Sequence, residues 1–175
     1  MQKNHDNFTA LHNRLRGNLV NFIRLRVKNS DEVDDLVQDV FLKAYNSWKE
    51  LPDENSAKNF LYYIARQKMI DLWKSARSRY SYDGEFDIES FDEVSPEPLP
   101  EDIFIENEKK QEVLKILNSL KPSDRQILYL RFIEEKEYSE LSEILNISED
   151  TARQKVSRAL QNTRKVVNTN KNINI

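Results

Sequence analysis

Arg153, Gln154, Ser157 and Arg158 stand at i, i+1, i+4 and i+5 in the stretch YSELSEILNISEDTARQKVSRAL. Helical geometry gathers these two guanidiniums, a carboxamide and a hydroxyl on one face, with Lys155 on its flank. Such a face can donate to base edges in a groove and to phosphates. Upstream, Tyr62, Tyr63 and Trp73 alternate with Arg66, Lys68, Lys74, Arg77 and Arg79, and aromatic faces beside cations suit unpaired bases. A third group differs in kind. In DEVDDLVQDVFLKAYNSW, Asp35, Gln38, Asp39 and Asn46 share the outer helical face with Leu42. This is an apolar centre inside a polar rim, the make-up of a protein interface, and the acids call for a basic partner. Each group also has a plainer reading: a solvated hairpin with a basic face, aromatics that belong to a core, and a solvated acidic face with one exposed leucine.

Little in the chain suits bond-making chemistry. It holds no Gly-rich phosphate loop, no nucleophile with a plausible base and no carboxylate pair that a helical layout would bring together, so no catalytic residue and no enzyme is expected. His5 and His12 lie seven apart with no third ligand in sight, and there is no cysteine. Neither a metal site, a disulfide framework nor a cofactor is expected.

The elements that must position these groups are helical throughout. Phe8, Leu11, Leu15, Leu19, Phe22 and Ile23 define a first amphipathic helix over residues 8 to 27, with Val27 continuing its stripe. In the second helix Val33, Leu36, Val37, Val40, Phe41, Ala44 and Trp48 face inward, and Ser30 or Asp31 reads as its N-cap. A polar loop, LPDENSAK, then leads to a third helix, NFLYYIARQKMIDLWKSARSR. Its inward stripe is read as Leu61, Ile64, Ala65 and Leu72, with Tyr63, Arg66, Gln67, Ile70, Lys74 and Arg77 projecting elsewhere. Further on, IENEKKQEVLKILNSL should end before Pro122, and PSDRQILYLRF starts a helix with proline near its first position. Leu141, Ile144 and Leu145 form the apolar face of a short helix; Asn146 suits a left-handed turn and Ser148 an N-cap. Ala152, Val156, Ala159 and Thr163 line the buried side of the helix that follows. The tail NTNKNINI is expected to fray.

Of 175 residues, 33% are charged and 38% hydrophobic, with 2 glycines and 5 prolines, a balance that points to an all-α protein. The net charge of −3 averages over unequal parts. Residues 81–105 hold nine acids, three prolines and no base, which reads as an acidic flexible linker. The remainder carries 27 bases against 21 acids, and from Thr151 onward there are six bases and no acid. Two small helical domains, 1–80 and 106–175, are therefore expected on either side of the linker, the second with a helix-turn-helix. No apolar run is of signal-peptide or bilayer-spanning type, so membrane insertion is not expected and the cytoplasm is the expected location.

Three motifs in this order resemble a bacterial RNA polymerase sigma factor of the extracytoplasmic function type. DEVDDLVQDVFLKAYNSW is similar to the helix that binds the clamp helices of the polymerase β′ subunit. NFLYYIARQKMIDLWKSARSR resembles the segment that recognises and opens the minus-10 element. LKPSDRQILYLRF with YSELSEILNISEDTARQKVSRAL resembles the domain that reads the minus-35 element, and the likeness covers residues from about 8 to 167. The resemblance implies that Asp35, Gln38, Asp39, Leu42 and Asn46 meet the polymerase. It places Tyr63, Arg66, Lys74 and Arg77 on minus-10 DNA, and Arg153, Gln154, Lys155, Ser157 and Arg158 on minus-35 DNA. It implies as partners core RNA polymerase, through the β′ clamp helices and the β flap, promoter DNA both double-stranded and melted, and an anti-sigma factor.

Under the resemblance the loop from Lys49 to Lys58 would hold a flipped minus-10 base, Phe60 stands where tryptophan is common, and the acidic linker would thread near the active-site channel. Glu135 and Lys136 replace a usual Gly-Leu pair, Ser142 a core alanine, Asn146 a turn glycine and Ala152 a valine. All are expected to be mild except Lys136, where loss of leucine should loosen the loop. Two other classes of function fit less of the chain. A regulator that binds DNA through its helix-turn-helix alone would dimerise on a palindrome, leaving the linker and the basic aromatic helix without a task. A sigma-like adaptor or sequestering factor would bind polymerase without initiating.

Overall fold

The computed structural model describes residues 2–27, 29–48, 53–79, 113 and 116–173, with side chains at 7–27, 29–48, 53–75, 113 and 116–168. The expected linker, 81–105, lies outside the described residues. The fold is all-α, with no strand among the described residues, and the chain divides into two units, Met1–Asp83 and Gly84–Ile175.

The first unit is a three-helix assembly of α1 (Gln2–Arg24), α2 (Ser30–Ser47) and α3 (Glu54–Arg79), each packed on the other two. Its core is the expected stripes brought face to face, with Leu19, Phe22, Ile23, Val33, Val40 and Ile64 almost wholly buried. Burial of a side chain of this size contributes about 1.5–3 kcal/mol. Phe8 is ringed by Phe41, Tyr45 and Trp48 at centroid distances of 6.3, 5.0 and 5.4 Å, all edge-on. These edge-to-face contacts close the start of α1 over the end of α2.

Several local expectations are corrected. The N-cap of α2 is Asn29, not Ser30 or Asp31: its side chain accepts from the Asp31 and Glu32 backbone N–H groups. α3 starts five residues earlier than its apolar pattern suggests, because the Asp53 carboxylate accepts the Ser56 N–H at 2.8 Å and caps the first turn. Glu54 to Lys58 are therefore helix and not loop; Lys49 to Pro52 lie outside the described residues. Ile70, read as outward, is buried along with Met69, and Leu72 is half-buried, because α3 is covered by two helices and one stripe does not describe its buried side. The same covering places Tyr62 in the core, its ring 5.0 Å from Phe22.

The Ser56 N–H holds the Asp53 carboxyl below its ordinary value of 3.8. A carboxyl with a depressed folded-state pKa stabilises above its unfolded value, and that contribution is lost as pH falls through the folded one. D53A is therefore expected to unfold at lower temperature than the parent at pH 7, with the gap closing below about pH 4. Thermal unfolding followed by circular dichroism across that range checks it.

Ahead of its first full helix the second unit buries Leu117 and Leu120. α4 (Pro122–Leu128) follows with proline at its start and runs into a π-helical turn, Tyr129–Ile133. Arg125 is buried and its guanidinium donates to the carbonyls of Leu117, Asn118 and Leu120. It thereby satisfies acceptors at the end of the preceding segment, and burial pulls its pKa below the usual arginine value. α5 (Tyr138–Leu145) and α6 (Glu149–Ile173) complete the unit. Asn162 on α6 donates to Asp124 on α4 at 2.8 Å. The α6 backbone stays helical to Ile173, within the tail expected to fray.

The loop at Glu135 and Lys136 behaves opposite to expectation. Lys136 is only 3% exposed, its Nζ is 2.8 Å from Glu140 Oε1, and its backbone N–H and C=O bond to Leu130 and Arg131. An ion pair thus fills the place of the missing leucine and fixes the loop. The strain falls instead on Glu135, whose φ is +56°, a region that glycine occupies without steric cost. E135G is expected to stabilise the protein by about 0.5–1 kcal/mol, the steric relief less the entropy of an added glycine, read as a raised denaturant midpoint at constant m-value.

Candidate nucleic-acid and protein interfaces

In the second unit, α5 and α6 form a helix-turn-helix. Asn146 closes α5 in the left-handed region, with φ +52° and ψ +53°, and the Ile147 N–H reaches the Ser142 carbonyl at 3.1 Å. Two residues later the Ser148 Oγ accepts the Thr151 N–H at 3.1 Å and starts α6. Leu141, Ile144 and Leu145 of α5 and Ala152, Val156 and Ala159 of α6 are buried where the helices of this unit pack, and the polar side of α6 faces solvent. Arg153, Gln154, Ser157 and Arg158 are all exposed on it and Lys155 is half-buried on the flank.

Arg153 is held in place. It pairs with Glu149 one turn back, and its guanidinium lies over the Tyr138 ring at 4.6 Å. Arg131 reaches the same ring at 5.1 Å, and cation–π contacts of this kind narrow the orientations a guanidinium explores. Glu149 was legible as an i, i+4 partner; Tyr138 lies on another helix, and only the fold brings it to Arg153.

On α2 of the first unit, Asp35, Gln38, Asp39, Leu42 and Asn46 are exposed on one face. Leu42 is 61% exposed and Tyr45, one turn on, 45%. Tyr45 is in neither the apolar stripe nor the outer face read from the sequence; part of its surroundings is core, since its ring packs on Phe8. Asp39 is not solvated alone: Lys68 of α3 donates to it at 2.8 Å. On α3, Tyr63 and Phe60 are half-buried and stacked at 6.4 Å with an interplanar angle of 16°. Arg66 is half-buried one turn from Tyr63, and burial lowers its pKa, with the tyrosine opposing the shift. Lys74 is exposed; Arg77 belongs to the last turn of α3, its side chain outside the described residues. Tyr63, Arg66 and Lys74 share one unit with the α2 face but lie on a different helix, α3.

His12 packs on Phe41 at 4.3 Å, the side chain of His5 lies outside the described residues, and no cluster of three metal-ligating side chains occurs among those described. No described helix is long and apolar enough to cross a membrane.

Residues 11–79 match the family model for sigma-70 region 2, and residues 110–162 that for sigma-70 region 4. The chain belongs to the sigma-70 family. Its relatives place it in the extracytoplasmic function group. It is 27% identical over 161 residues to the ECF RNA polymerase sigma factor SigX of Bacillus subtilis, covering 91% of this chain and 83% of that one. It is 25% identical over 158 residues to the ferric citrate uptake sigma factor FecI of Escherichia coli, covering 88% and 87%. Two solved sigma factors share the fold: RpoE of Bartonella quintana, in complex with the anti-sigma factor NepR (TM-score 0.64, 22% identity, 93% and 97% covered), and CnrH, in complex with the cytosolic domain of CnrY (0.59, 20%, 93% and 88%). As a sigma factor the chain directs RNA polymerase to promoters; α2 and α3 lie within its region 2, and α5 with α6 as far as residue 162 within region 4.

Proposed function

We propose that this sigma factor recognises the minus-35 element through the outer face of α6 and captures and opens minus-10 DNA with α3, while α2 docks on core polymerase. The observation that carries the reading is the division of α6: Ala152, Val156 and Ala159 are buried, and Arg153, Gln154, Ser157 and Arg158 are exposed on the other side. Such a helix can lie in a major groove, where arginine and glutamine read base edges bidentately and cations meet phosphates. In the first unit Tyr63 offers a ring for an unpaired base, and Arg66 and Lys74 offer charge for the backbone beside it; Arg77 joins them on sequence position.

Leu42 with Tyr45 supplies an apolar centre, rimmed by Asp35, Gln38, Asp39 and Asn46, for the β′ clamp helices, and the second unit docks on the β flap. The protein acts by binding alone, without catalysis, cofactor or metal, and works in the cytoplasm. An anti-sigma factor is a further partner, a reading supported by the solved RpoE bound to the anti-sigma factor NepR and the solved CnrH bound to the cytosolic domain of CnrY. Co-elution of the full-length chain with core polymerase, followed by selection of bound duplexes from a randomised pool, tests these roles. Recovery of a two-part sequence whose upstream half loses its enrichment in R153A supports them; recovery of a single palindrome bound equally well without polymerase refutes them.

A further inference from the structure

α6 is longer than the region that the family model covers. It runs from Glu149 to Ile173, whereas the matched region ends at residue 162. Beyond that point Arg164 and Lys165 are both exposed. At 100° per residue, Arg164 lies about 20° around the helix from Arg153, and Lys165 about 20° from Arg158. The two cations therefore continue the lines that the recognition face begins, and no acid interrupts the chain from Thr151 onward.

Distance decides what they can touch. Arg153 and Arg164 are separated by about 16 Å along the helix axis, while the major groove is about 12 Å wide. Where α6 runs across the groove with Arg153 and its neighbours among the bases, Arg164 and Lys165 stand past it, over the phosphate rim. We propose that they form a second DNA-binding point that grips backbone phosphates flanking the minus-35 element and carries no sequence information. Complementary charge and continuity with the recognition face identify the occupant as duplex DNA. The proposal rests on α6 lying in the major groove, as proposed above.

The test uses full-length protein assembled with core polymerase, on a duplex recovered by selection and on one of scrambled sequence. Affinity is measured between about 50 and 200 mM salt. Each phosphate contact contributes about 0.9 to the slope of log K against log salt, so R164Q/K165Q should flatten the slope by about 1.8 on both duplexes and leave base preference unchanged. An unchanged slope overturns the proposal, as does a loss confined to one base pair. R153A separates the two levels. If it leaves affinity and base preference at parent values, the groove reading fails; if it relaxes base preference while R164Q/K165Q has no effect, the second phosphate grip alone fails.

Discussion

E140A is expected to destabilise the protein by about 3–5 kcal/mol, the range for breaking one side of a buried ion pair. Lys136 is almost fully buried, and Glu140, whose side chain is 17% exposed, meets its ammonium at 2.8 Å. Removing the carboxylate leaves a buried cation without that counter-charge. It also removes the acceptor of the Glu137 N–H at the start of α5, dismantling a capping box. At about 4–8 °C per kcal/mol for a unit of this size, the unfolding midpoint of the second unit should fall by at least about 12 °C. K136L supplies the contrast. It restores the leucine usual in the family, and Glu140 keeps the Glu137 N–H and some access to water. Removing one partner of a buried pair costs most where the stranded charge is most buried, and K136L strands only the more exposed carboxylate, so it should cost less than E140A. Differential scanning calorimetry of both variants checks the pair; an E140A midpoint equal to the parent's would show that the ion pair does not hold this loop.

L42D should weaken binding to core polymerase by about 30- to 1,000-fold, the equivalent of about 2–4 kcal/mol for a residue central to an interface. Its folding stability should change by no more than about 0.5 kcal/mol, because Leu42 is exposed and lacks the buried packing whose loss costs more. D39A should have a smaller, salt-sensitive effect, since Asp39 sits on the rim and already pairs with Lys68. Titration of labelled protein against core polymerase reads both. An L42D variant that binds as tightly as the parent contradicts the assignment of the α2 face.

Sequence patterning revealed most of the fold because in most helices one stripe describes the buried side, even where it meets two neighbours. The stripes of α1 and α2, the Asn146 turn and the Ser148 cap were all legible from residue type and spacing. α3 resisted because it is buried on more than one side, so Tyr62 and Ile70 looked available and are core. Lys136 resisted for another reason: a lysine in a loop reads as solvated, and only the return of α5 reveals that Glu140 covers it. In the candidate sites, residue types announced the α6 face and the Leu42 anomaly. Tyr45 and the Tyr138 support of Arg153 depend on contacts across elements, which periodicity within one helix does not encode.

The most direct measurement is transcription reconstituted from purified core polymerase, the purified chain and genomic DNA of its source, with transcript 5′ ends mapped. Initiation from a discrete set of start sites that share minus-35 and minus-10 sequences, lost with L42D and redistributed with R153A, is the predicted result. A chain that binds core polymerase yet starts no transcript from any promoter of that genome would contradict the proposed role.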